Sequence, residues 1–261
     1  MKSWKIMLGA AAAALTFGSA AMAQTAPAPA APAPAAAPAA PAPAYTFAFN
    51  AAYTSDYIFR GLSQTSGKGA ASVGVDFTAG LFYLGNWDSN VDFGPTAGDP
   101  GDKTTFEYDI YGGFHPTVGP VVLDLGFIRY GYVNEPNSAH YTYYEGKAGA
   151  SYASGPNTLS GVFYYSPEFF GKTGSAQYYE IDDAFTLSNK ASISGGVGYQ
   201  ALDKDKAGIS GYTQWNVGVG YPITDHFGID LRYFGTDNSA TDFYTRTFAG
   251  QRLVATLKAT F

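Results

Sequence analysis

The chain has 261 residues, with 15 basic and 21 acidic side chains, a net charge of −6 and a pI near 4.9. That balance excludes a basic nucleic-acid-binding face, and the absence of cysteine excludes disulfides, thiol nucleophiles and thiolate metal sites. Only 14% of residues are charged and 16% are aromatic, against roughly 25% charged in an average soluble domain.

Residues 1–23 have the layout of a secretory signal peptide. Lys2 and Lys5 supply the positive end, Ile6 to Phe17 the apolar core, and Ala21-Met22-Ala23 a small-residue cleavage site. The apolar run is shorter than the ~20 residues that a spanning helix needs. Residues 24–44 are almost pure alanine and proline, including Pro27, Pro29, Pro32, Pro34, Pro38, Pro41 and Pro43. Such a segment buries nothing and reads as an extended, disordered periplasmic linker.

From Tyr45 the pattern changes and holds to Phe261. Runs of about ten residues alternate apolar and polar positions and end in Gly, Pro, Asn or Asp. Twelve such runs are countable: 45–59, 71–78, 81–89, 105–114, 121–130, 143–152, 158–165, 177–186, 191–200, 212–221, 228–234 and 252–261. Short connectors, at 79–80, 115–120, 153–157, 187–190 and 222–226, alternate with long polar ones at 61–69, 89–104, 131–142, 166–175, 201–211 and 235–251. Bacterial outer-membrane barrels alternate short periplasmic turns with longer outer loops. The expectation for residues 45–261 is therefore an all-β, transmembrane, antiparallel up-and-down β-barrel of twelve strands in the outer membrane, with both termini periplasmic.

The faces follow from the period of two. Phe106, Tyr108, Ile110 and Phe114 share one side of their run, with Glu107, Asp109 and Tyr111 on the other. In the final run Leu253, Ala255, Leu257, Ala259 and Phe261 oppose Arg252, Thr256, Lys258 and Thr260, with Val254 the exception. Outer-membrane lipid is the expected partner of the apolar face, and the terminal Phe261 the handle for the barrel-assembly machinery. Tyr45, Tyr57, Phe59, Tyr130, Tyr165, Tyr221 and Phe234 fall near run ends, where membrane barrels carry aromatic girdles.

The polar face then lines a lumen. The pore-lining candidates are Arg60, Glu107, Asp109, Asp124, Arg129, Glu145, Lys147, Asp230 and Arg232. Asp56, Asp76, Asp88, Glu180, Asp182, Arg252 and Lys258 are expected on the same side, so acids outnumber bases and cations are favoured. Twelve strands lie between the filled interior of ~8-stranded barrels and the open channel of ~16–18-stranded ones, so a narrow pore is expected.

The stretch Ser55-Asp56-Tyr57-Ile58-Phe59-Arg60-Gly61 resembles the TorF family of porin-type outer-membrane proteins of proteobacteria. The likeness continues through Asn86 to Phe93, Glu107 to Tyr111, Tyr164 to Phe170 and Gly228 to Tyr233, and so covers roughly residues 45–261. The resemblance implies an outer-membrane barrel with a pore and brings no catalytic residues; the Ala/Pro segment stands outside its pattern.

An enzyme is not expected. His115 and His226 fall in predicted short turns and His140 in a long connector, and no G-x-S-x-G, H-E-x-x-H or P-loop pattern occurs. No cofactor is implied. Asp88, Asp92, Asp99 and Asp102 fit no calcium-loop spacing and read as solvated loop carboxylates. Ser166 to Phe170 reads either as a loop folded inward as a constriction or as an interface-anchored turn. The functional expectation is passive diffusion of small hydrophilic solutes or ions through a narrow, mildly acidic lumen. Its alternative is a non-conducting structural or adhesive barrel that binds a partner through its loops or the Ala/Pro tether.

Overall fold

A computed structural model of the chain describes residues 45–93, 104–136, 138–187 and 190–261. The expected signal peptide and linker, and most of the Asp88–Asp102 connector, lie outside the described residues. Strand β1 (Thr46–Thr54) leads through a small hairpin, β2 (Ile58–Phe59) and β3 (Leu62–Ser63), into β4 (Ala70–Ala79) and β5 (Phe82–Asn90). Next come β6 (Phe106–Phe114), the short β7 (Thr117–Val118), β8 (Val121–Val133), β9 (Tyr143–Ser154) and β10 (Asn157–Ser166). The chain finishes with β11 (Ala176–Thr186), β12 (Ser192–Leu202), helix α1 (Lys204–Ala207), β13 (Gly211–Pro222), β14 (Phe227–Thr236), α2 (Asn238–Phe248) and β15 (Arg252–Thr260).

The twelve long strands close into one antiparallel ring. Each pairs with the long strand before and after it in the chain, β6 with β8, and β15 returns to β1. The seam is tied to the last residue: Phe261 N–H donates to Phe49 O at 2.9 Å and accepts from Phe49 N–H at 3.0 Å. A closed ring leaves no long strand edge unpaired. Turns at one end are tight, as at Gly80-Leu81 and Gly155-Pro156, whereas the other end carries the long connectors and α2. The alternation of connector lengths is therefore the one expected, in a closed twelve-stranded barrel.

The wall is inside out compared with a soluble barrel. Phe106, Leu125 and Leu257 are 40–50% exposed on the outer face, while Asp109 is fully buried inside. Outward-facing tyrosines, Tyr53, Tyr108, Tyr144, Tyr165, Tyr179 and Tyr199, gather in the half of the wall nearer the long connectors. Phenylalanines such as Phe47, Phe82, Phe114, Phe185 and Phe227 mark the other rim.

Two expectations change here. The first run does not continue to Phe59: β1 stops at Thr54, and residues 55–69 turn into the barrel. Tyr57, Tyr130 and Phe234, expected in an aromatic girdle, are inside the barrel at 0–4% exposure. They fill space that water would otherwise occupy, and an inward aromatic near a strand end has the same spacing in sequence as an outward one.

Candidate functional site: a plugged lumen

The centre of the barrel is held by the hairpin after β1. Its tip is the two-residue turn Arg60-Gly61, with φ of 48° and 78°, the double positive-φ turn that suits a tight β-hairpin. Gly61 is required twice over: a Cβ there would stand 2.6 Å from Gln214 Cβ and 2.7 Å from Thr236 Cγ2 on the barrel wall. Arg60 is not a residue that favours positive φ, so its position is maintained by its contacts.

Those contacts reach across the lumen. Arg60 Nη2 donates to Glu145 Oε2 at 2.6 Å, and Nη1 donates to Glu145 Oε1 and to Gln200 Oε1, both at 2.9 Å. Tyr130 Oη adds a hydrogen bond to Glu145 Oε2 at 3.0 Å. The guanidinium also lies over the rings of Tyr178 (4.3 Å), Phe59 (4.7 Å) and Tyr164 (5.0 Å). Arg60 and Glu145 are 2% and 1% exposed, a buried, bidentate, charge-assisted pair. At the neck, Asp56 accepts from Ser63 Oγ, Thr65 Oγ1 and Arg252 Nη1 at 2.6–3.1 Å. Ile58 packs on Phe234 and Val254, which explains why Val254 breaks the polar alternation of the last strand.

Further connectors cover this plug. Phe170 stacks on Tyr141 at 4.5 Å, Phe169 meets Tyr143 edge-on at 4.7 Å, and Phe93 touches Tyr132, Tyr141 and Phe170. Of the two readings of Ser166 to Phe170, the inward one is observed. Helix α2 is capped by Asp237, whose carboxylate accepts from Ala240 N–H at 3.1 Å, and its Tyr244 lies edge-on to Tyr212.

The remaining candidates divide by height. Near the long connectors, Glu107 accepts from Tyr132 Oη at 3.0 Å. Glu107 Oε2 and both oxygens of the fully buried Asp109 have no hydrogen-bond partner among the described residues. Nearer the tight turns two of the carboxylates, Asp124 and Asp230, are paired with cations. Asp124 takes Lys147 Nζ and a hydrogen bond from Tyr83 Oη at 2.8 Å, with His115 at 3.5 Å. Arg232 holds Asp230 at 3.1–3.2 Å, Asn216 at 2.5 Å and Ser194 at 2.8 Å. Gln214, not singled out from sequence, donates to Tyr178 Oη and Glu180 Oε1 at 2.8 and 2.9 Å. Gln200 was missed likewise, because a neutral amide on a strand carries no signal of a cross-lumen partner.

Two assignments are corrected. Arg129 does not line the lumen: it shares the outer face with Leu125 and Phe127, its guanidinium 5.0 Å from the Tyr108 ring and 6.0 Å from that of Tyr144. A long guanidinium stem can follow an apolar wall and place its charge among polar aromatic tips. Asp88 is also on the outer face, because Tyr83, Gly85 and Trp87 are the inward positions of β5; Asn86 Nδ2 donates to it at 3.1 Å.

Residues 37–261 match the model of Gcw_chp, described as a bacterial protein of unknown function. The chain belongs to that family. The Gcw_chp match begins inside the Ala/Pro segment, and it does not carry the TorF name. No curated protein matches the chain. Among solved structures it is similar to the KdgM porin, in complex with disordered oligogalacturonate, at 10% identity and a TM-score of 0.54, covering 83% of this chain and 99% of that one. The NanC porin gives 8% identity and a TM-score of 0.53 over the same shares. The chain spans 62% of the length of another porin, refined at 1.8 Å, at 14% identity and a TM-score of 0.40, with 74% of this chain covered. At these identities the likeness is one of fold, and the fold is that of porin barrels.

Proposed function

We propose that this Gcw_chp protein is an outer-membrane channel for small hydrophilic solutes or ions, closed in the state described and opened by withdrawal of the hairpin at residues 55–69. The observation that carries this reading is the Arg60–Glu145 pair: a cation delivered by a connector, rather than by the wall, neutralises a carboxylate inside the lumen. When the hairpin leaves, Glu107, Asp109 and Glu145 form an acidic belt without Arg60, and such belts favour cations. The same belt disfavours polyanions such as the oligogalacturonate found with KdgM.

In this reading residues 1–23 are removed on export and residues 24–44 tether the barrel on the periplasmic side. Both termini are then periplasmic, the long connectors face outward, and Phe261 serves the assembly machinery. Catalysis is not part of it: His115 and His226 lie toward the tight turns and His140 in a long connector, and they share no site. Planar-bilayer recording of the purified chain tests the proposal. Cation-selective steps, more frequent in Arg60→Ala than in wild type, are expected; silence of both at every voltage rejects a channel. A sealed structural barrel is the second reading, favoured by the full lumen, where Arg60, Tyr130, Tyr178, Gln200 and Gln214 are all at most 2% exposed. It predicts that silence.

A further inference from the structure

Arg129, like Asp88, faces away from the pore expected for it, and it stands beside an apolar groove. On the outer wall of β5, β6 and β8 a groove of about 390 Å³ is lined by Leu84, Ile110, Gly112, Phe114 and Phe127, with Arg129 at one end. Gly112 leaves the floor bare between the flanking side chains. The groove runs from the Ile110–Arg129 pairing toward Phe114, roughly 13 Å along the strand at ~3.3 Å per residue. Its far end therefore points to the tight turns.

The charged end is built differently. The Arg129 guanidinium folds over the bare backbone of Gly131, where a Cβ would stand 2.5 Å from Nη1, and is flanked by the rings of Tyr108 and Tyr144. No carboxylate pairs with it among the described residues, while Arg60, Lys68, Lys147, Arg232 and Arg252 each have one. Asp88, the outer-face acid beside Tyr108 in register, is engaged by Asn86. A guanidinium between two phenols, at the level of the outward tyrosines, presents donors to a phosphate. The groove below it has the apolar lining and the length that an acyl chain needs.

We propose that this face binds a phosphorylated, acylated glycolipid of the outer leaflet, its phosphate on Arg129 with Tyr108 and Tyr144, and one acyl chain in the groove. The choice of leaflet rests on the outward orientation of the long connectors proposed above. The complementarity is of charge at one end and of apolar shape at the other, and the chain direction matches a lipid whose headgroup lies on the long-connector side.

Native mass spectrometry of the purified full chain tests this with diphosphorylated lipid A, phosphatidylglycerol and phosphatidylethanolamine as probes. Lipid A is expected to be retained at least tenfold better than either phospholipid. Arg129→Gln is expected to lose that preference, Arg129→Lys to keep part of it, and Leu84→Trp, which fills the groove and leaves the cation, to weaken retention. Equal retention of phosphatidylglycerol, or unchanged retention in Arg129→Gln and Leu84→Trp, overturns the proposal. Conductance is a separate readout: Arg129 touches no lumen group, so a silent channel leaves the lipid result standing, and the reverse holds too.

Discussion

The two halves of the lumen solve the problem of buried charge in different ways. Toward the tight turns two carboxylates meet cations from the wall itself, Asp124 with Lys147 and Asp230 with Arg232, while Asp76 accepts from the wall's Tyr111 Oη. Toward the long connectors the pairs cross between wall and hairpin: the cation for Glu145 arrives on the hairpin, and the wall's Arg252 meets the hairpin's Asp56. The first arrangement is complete once the ring has formed. The second is complete only with the hairpin inside, so charge neutrality in that half is conditional. Removing one partner of a buried pair generally costs about 3–5 kcal/mol, which makes the upper pair a strong latch and the lower pairs strong braces.

Breaking the latch should have the largest effect. Arg60→Ala leaves Glu145 buried without its cation, and the docked hairpin should lose about 3–5 kcal/mol. Open-channel events in bilayer recordings should rise by orders of magnitude. Lys147→Ala, the matching change in the lower half, should lower the unfolding temperature and leave channel opening near the wild-type level. If both variants open the pore equally, the division into latch and brace fails.

Gly61→Ala comes next. It places a methyl at positive φ against Gln214 and Thr236, a strain of about 1–3 kcal/mol, and should show as faster proteolysis within residues 55–69 while the barrel stays intact on a gel. In the Arg60→Ala background, Glu107→Gln with Asp109→Asn should move the reversal potential in a salt gradient toward zero, whereas Asp230→Asn should barely move it. The smallest effect is expected at the hairpin's flank. Val254→Thr puts a hydroxyl against Ile58 and Phe234 and should cost about 1–2 kcal/mol of hairpin docking, read as a modest rise in opening.

Much of this fold was legible in the sequence because it rests on a period of two. Strand number, ring closure and the inward side of Asp109, Asp124 and Arg232 follow from alternation and connector length. Tyr57 and Tyr130 were not legible as interior residues, since a tyrosine near a strand end serves an outer rim or a filled lumen with the same spacing. The outer position of Arg129 is legible from phase alone, since its charge suits a lumen while Leu125 and Phe127 on its own strand mark its parity as outward. The hairpin was hidden for a different reason. Ser55 to Phe59 continues the alternation of β1, and only partners 85 and 140 residues away, Glu145 and Gln200, show that the chain has turned inward.

Those distant partners also impose an order of events. Arg60 lies at residue 60, but the surface that receives it comes from β9, β12, β13 and β14. A chain emerging from its amino end therefore carries the hairpin long before its socket exists. The wall must be complete before the hairpin can seat, so a partly inserted barrel would pass through a stage with an open bore.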